Sequence, residues 1–104
     1  MEITHRVHPS GQSPRGVAVQ KLVDIPAAVV MRMALKPGEE VAPHLTPVDV
    51  LFYIESGSGR ISIGREEEPV SAGDLVVSPK EIPHGLTAGP DGMMLLVIKV
   101  PRPK

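Results

Sequence analysis

Proline and glycine interrupt this chain so often that helices of ordinary length have no room to form. Twelve prolines and ten glycines are spread along 104 residues instead of being gathered in one low-complexity tract. A proline inside a helix removes a backbone donor and clashes with the preceding turn, at a cost of about 3 kcal/mol. Glycine supplies the positive φ angles that tight turns need. The chain is thereby cut into segments of a few residues joined by turns, which is the punctuation of strands.

Between the breaks, apolar residues recur with a period of two. In Ala27–Leu35, the side chains of Val29, Met31, Met33 and Leu35 fall on one face and Arg32 on the other, as in a half-buried strand. Val17–Val23, Val41–Leu45, Val50–Glu55, Arg60–Ile63, Leu75–Ser78, His84–Ala88 and Met93–Val100 read as further strands, with a short one at Glu2–Val7. Ser56–Gly59 and Gly89–Gly92 read as turns, and Gly64–Glu68 as a charged hairpin tip. The prolines of the last four residues stop the final strand. Roughly eight to ten short strands, without a repeat or a domain boundary, predict an all-β sandwich or closed barrel. The length fits one domain over 1–104, with residues 1–16 partly loop or mobile N-terminus.

Composition removes several function classes. The net charge is −1, and Phe52 and Tyr53 are the only aromatic residues, so neither a basic patch nor a stacking platform for nucleic acid is expected. There is no cysteine, hence no disulfide and no thiolate zinc site. No apolar run reaches the length of a membrane span or a signal peptide, so the expectation is a cytoplasmic protein that does not enter membranes.

Two segments carry a family resemblance. Gly38–Gly57 reads GEEVAPHLTPVDVLFYIESG and resembles the first cupin motif, G-x5-H-x-H-x(3,4)-E-x6-G. Gly38, His44 and Gly57 match; Thr46 occupies the second histidine position and Val50 the glutamate position. Gly73–Ala88 reads GDLVVSPKEIPHGLTA and resembles the second motif, G-x5-P-x-G-x2-H-x3-N. Gly73, Pro79 and His84 match, whereas Glu81 stands at a glycine position and Ala88 at the asparagine. The resemblance implies a double-stranded β-helix, the jelly-roll barrel of the cupins. It implies function only as far as the site residues allow.

In metal-binding cupins, the three histidines and the glutamate hold iron, manganese, nickel, copper or zinc. Here only His44 and His84 remain as strong ligands. Residues 44, 46 and 50 share parity and should face the barrel interior. The same two histidines also read as barrel residues hydrogen-bonded to Thr46, Ser78 or water. Met31 and Met33 could join them in a soft Cu(I) site, or simply fill an aromatic-poor core. His5 and His8 read as a solvated terminal pair, Glu66–Glu68 as a solvated tip, and Glu39 and Glu40 as exposed charges near the barrel mouth. Asp49 has the wrong parity to replace the missing carboxylate.

Two functions follow. One is a small-molecule-binding cupin whose pocket holds metal weakly or not at all. His44, Thr46, Val50, Phe52, Ser78 and His84 would line it, within apolar walls extended by Ile54, Ile63, Val76, Leu86, Leu96 and Ile98. The alternative is a metal-dependent cupin enzyme of dioxygenase, isomerase or decarboxylase type using His44 and His84. Leu51, Tyr53 and the apolar last strand predict an outer face that pairs two copies into a homodimer.

Overall fold

The computed structural model describes residues 1–4, 11–12 and 17–104. Among these lie eight strands, all paired antiparallel, and no helix. They are β1 (Gly11–Gln12), β2 (Ala18–Ile25), β3 (Ala28–Leu35), β4 (Glu40–His44), β5 (Asp49–Ile63), β6 (Glu66–Ser71), β7 (Leu75–Ser78) and β8 (His84–Val100). β5 and β8 are 15 and 17 residues long and pair with each other along almost their whole length. Each bends midway and so serves two sheets. One sheet runs β1, β2, β3, the second half of β8, the first half of β5 and β7. The other runs β4, the first half of β8, the second half of β5 and β6. The two sheets enclose the core as a jelly roll, the expected architecture.

The bends correct one expectation. Ser56–Gly59 and Gly89–Gly92 are corners within long strands and not turns that end short ones. Gly57 pairs with Met93 and Gly59 with Ala88, and the register shifts at each step. Gly57 has φ 76°, and a Cβ placed there would overlap the carbonyl oxygen of Gly92. Two strands can cross this closely only where neither carries a side chain. A glycine that ends a strand and one that bends it look alike in sequence.

A second correction concerns Glu66–Glu68. These residues form half of β6, paired with Ile61–Ile63, and the tip is confined to Gly64 and Arg65. Their side chains are exposed, as expected, but the backbone is an edge strand; charge on an edge discourages pairing with other chains. The strand expected at Glu2–Val7 is absent over the described residues 1–4, where Thr4 Oγ1 donates to the Leu22 carbonyl at 2.7 Å. The rest of that expected strand, and most of the loop or mobile terminus expected over 1–16, lies outside the described residues.

The core is aliphatic with methionine and a single phenyl ring. Ile54 and Leu95 are completely buried, and Leu35, Phe52 and Met93 pack against them. Pairing across the first sheet aligns inward rows. Met33 faces Leu95 and Leu95 faces Ile54; Met31 faces Val97, then Phe52, then Val76; Val29 faces Lys99, then Val50, then Ser78. The alternate rows point outward, among them Arg32–Leu96–Tyr53 and Val30–Ile98–Leu51. Leu96 and Ile98 are therefore not part of the barrel wall, which is the third correction. In a strand that is apolar on both faces, hydrophobicity does not reveal parity. On the outer face Arg32 makes a forked ion pair with Glu55, at 2.8 and 3.2 Å. The hydrogen bond to Glu55 raises the Arg32 pKa, against the opposing effect of burial. Among the described residues no helix is long and apolar enough to cross a membrane.

Candidate functional site

β4 ends at His44 and β8 begins at His84, and the two face each other directly in the β4–β8 ladder. Their rings meet edge to face, with centroids 4.6 Å apart and planes at 83°. The Phe52 ring stands against His84 in the same manner, at 5.2 Å. The two motif histidines thus converge within the barrel. Thr46 and Val50 are buried beside them, although they lie on no continuous strand with His44. The chain breaks at Pro47 between β4 and β5, while Leu45 is exposed; the alternation survives the break.

His84 is 4% exposed, and both of its ring nitrogens have hydroxyl partners. Ser78 Oγ lies 2.9 Å from Nδ1, and Thr46 Oγ1 lies 3.3 Å from Nε2. A neutral imidazole donates from one nitrogen and accepts at the other, and two hydroxyls can supply both roles. His44 is more open, and its Nδ1–H donates to the Ala42 carbonyl at 3.1 Å.

Neighbouring loops hold this arrangement in place. The Glu81 backbone N–H donates to the Thr46 carbonyl at 3.0 Å, which ties the second motif to the first. Glu81 occupies the motif's glycine position with φ 65°, the left-handed conformation that favours glycine. Asp49 Oδ1 accepts from the Lys80 backbone N–H at 2.8 Å. The Asp49 carboxylate therefore braces the loop from outside and does not enter the barrel.

Beside the histidines is a cavity of about 100 Å³. Met31, Met33, Phe52 and Val97 form its apolar side, and His44, Thr46, His84 and Lys99 its polar side. Lys99 is the residue that the sequence reading missed. It sits in the inward row between Val29 and Val50 and, among the described residues, is the only Lys, Arg, Asp or Glu lining the cavity. Its signal was a lone charge in an apolar strand, readable once Leu95 and Val97 are known to point inward.

The expected apolar wall divides. Val50 and Phe52 line the small cavity, whereas Ile63 and Val76 line a wider cleft of about 690 Å³ between the edges of β6 and β7. Ser78 is fully buried behind His84. Leu86 and Ile54 belong to the packed core. Glu39 accepts from the backbone N–H of Lys36 and Glu40 is exposed, and neither lines this cavity. His5 and His8 lie outside the described residues.

Among the described residues, the donor set is smaller than a first-row transition metal site normally uses. Such sites use three or four protein donors, and the described residues supply two imidazoles, with both nitrogens of one engaged by hydroxyls. Val50 has no donor atom, and the Lys99 ammonium adds like charge. Among the described residues, no group of three or more histidine, cysteine, aspartate or glutamate side chains could hold a metal ion.

Comparison with known proteins agrees with this fold. The family model described as "Cupin domain" matches residues 31–99. No curated protein matches the chain. A conserved protein of unknown function from Streptococcus pyogenes, SPY1581, is 24% identical with a TM-score of 0.77, over 100% of this chain and 97% of that one. TT1209 from Thermus thermophilus is 25% identical with a TM-score of 0.80, over 91% and 92%. The G106A mutant of salicylate 1,2-dioxygenase from Pseudoaminobacter salicylatoxidans, in complex with gentisate, is 21% identical with a TM-score of 0.78. There the match covers 86% of this chain and 26% of the larger one.

Proposed function

The chain belongs to the Cupin domain family, and from that premise we propose that it is a small-molecule-binding cupin whose two-histidine pocket takes metal weakly or not at all. One observation carries the reading: both ring nitrogens of His84 are occupied by the Ser78 and Thr46 hydroxyls. A metal at Nε2 must displace the Thr46 hydroxyl and then finds, among the described residues, His44 as the second imidazole beside it. A small ligand needs no such displacement. It meets the Thr46 hydroxyl, two imidazoles and an apolar side in one cavity, the usual makeup of a small-molecule site.

A second reading, a cupin enzyme that uses His44 and His84, is supported by the 4.6 Å approach of the two rings. One experiment separates the two. Protein purified without an affinity tag is analysed for metal and titrated with Fe(II), Ni(II) and Cu(II). The binding reading expects millimolar or weaker affinity. Tight stoichiometric uptake that His44→Ala and His84→Ala both abolish would overturn it.

We also propose that the outer face of the first sheet pairs two copies of the chain. Leu51, Tyr53, Leu96 and Ile98 lie on it, and Leu75 and Val77 continue it at 61% and 58% exposure. Its charged pair Arg32–Glu55 is satisfied internally, so the face can meet its own copy without burying a net charge. Sedimentation of the wild type against Val77→Lys tests this: a dimer that becomes a monomer supports the pairing, and a monomeric wild type removes it. A cytoplasmic residence is proposed on the cysteine-free sequence.

A further inference from the structure

The inward rows of the first sheet divide the cavity into two layers. Lys99 and Ser78 belong to one row, and Ser78 reaches across to His84, whose partners are Thr46 and the His44 ring. One step deeper are Met31, Val97 and Phe52, whose side chains carry no nitrogen or oxygen. A ligand that fits both layers has one polar end and a short apolar body.

The charge of the polar layer selects further. Among the described residues the polar groups that line the cavity are two imidazoles, the Thr46 hydroxyl and one ammonium, and no acidic side chain is among them. An anionic head placed here gains charge-assisted hydrogen bonds from Lys99, whereas a cationic head meets like charge. Size sets the last limit. A cavity of about 100 Å³ is well below the roughly 300–1,000 Å³ of sites that enclose drug-sized ligands.

We propose that the pocket takes a small monocarboxylate of a few carbons, its carboxylate held between Lys99 and the histidine layer and its alkyl end on Met31, Phe52 and Val97. Lys99 then supplies the ammonium that faces the carboxylate. The inference rests on the pocket being a small-molecule site, and deepens that reading by naming the ligand class.

The test uses metal-stripped protein carrying 13C-methyl methionine, because Met31 and Met33 line the cavity. Acetate, propionate and butyrate are titrated against their amides, which keep the shape and lose the charge. Propionate or butyrate should shift the Met31 and Met33 methyl signals and bind at least about tenfold more tightly than the matching amide. Lys99→Met should erase that preference, and Lys99→Arg should keep it within about threefold. Equal binding of acid and amide overturns the anion inference and leaves the pocket as a ligand site. So does a preference that survives Lys99→Met. If neither series moves the two methyl signals, the inference and the binding reading fall together. The acid–amide comparison needs only the wild type, so it holds even if a Lys99 variant does not fold.

Discussion

The Ser78 hydroxyl lies 2.9 Å from Nδ1 of His84, between two side chains that solvent barely reaches. Ser78 ends β7 and His84 begins β8, so a single short bond joins the close of one strand to the start of the next. Removing the hydroxyl leaves a buried ring nitrogen without this partner. Ser78→Ala is expected to lower the unfolding free energy by about 1–3 kcal/mol, measured by urea denaturation. A loss below about half a kcal/mol would show that the bond contributes little.

Restoring the motif residues should restore metal affinity. The double variant Thr46→His, Val50→Glu places a third imidazole and a carboxylate in the wall beside His44 and His84. Its affinity for Ni(II) should exceed that of the wild type by at least about a hundredfold, as expected when a two-donor site gains two donors. Isothermal titration calorimetry reads the difference. Unchanged affinity would mean that the barrel cannot bring the four positions around one ion.

Backbone conformation predicts opposite signs at two positions. Glu81 has φ 65°, so Glu81→Gly should relieve strain and stabilise the fold by up to about 1 kcal/mol after the entropy that glycine loses. For a domain of this size that is a rise of roughly 4–8 °C in Tm. Gly57→Ala should do the reverse. It adds strain at φ 76° and a Cβ against the Gly92 carbonyl, and should cost about 3 kcal/mol or more. Thermal unfolding of both variants checks the pair.

Asp24, near the end of β2, has a pKa lowered chiefly by its hydrogen bond to Lys21, with Arg102 of the tail adding to it against some desolvation. A carboxyl whose folded pKa lies below its unfolded value stabilises the fold above the unfolded value, near about 3.9. That contribution disappears as pH falls through the folded value. Carboxyl 13C titration should place the Asp24 midpoint below the ordinary carboxylate range, and Lys21→Met should move it back up. A midpoint unmoved by Lys21→Met would assign the shift to another cause.

Much of the molecule was legible in residue order. Scattered proline and glycine with a period of two were enough for an all-β chain, because both are local rules of backbone geometry. His44 and His84 could be paired across 40 residues because two spaced motifs implied one barrel, and the fold brought them to opposing positions of one ladder. The missing glutamate and second histidine were equally readable, since Val50 and Thr46 occupy counted positions.

Tertiary structure decided what local rules leave open. Gly57 and Gly92 read as turn residues, and only their mutual approach makes them corners of two continuous strands. Leu96, Ile98 and Lys99 sit in a strand that is apolar on both faces, so no hydrophobic alternation marks which side faces the core. Pairing with β3 and β5 settles that parity, sending Leu96 and Ile98 outward and the ammonium inward. The sequence by itself determined the fold family and the two histidines; the register of one strand decided that Lys99 lines the same cavity.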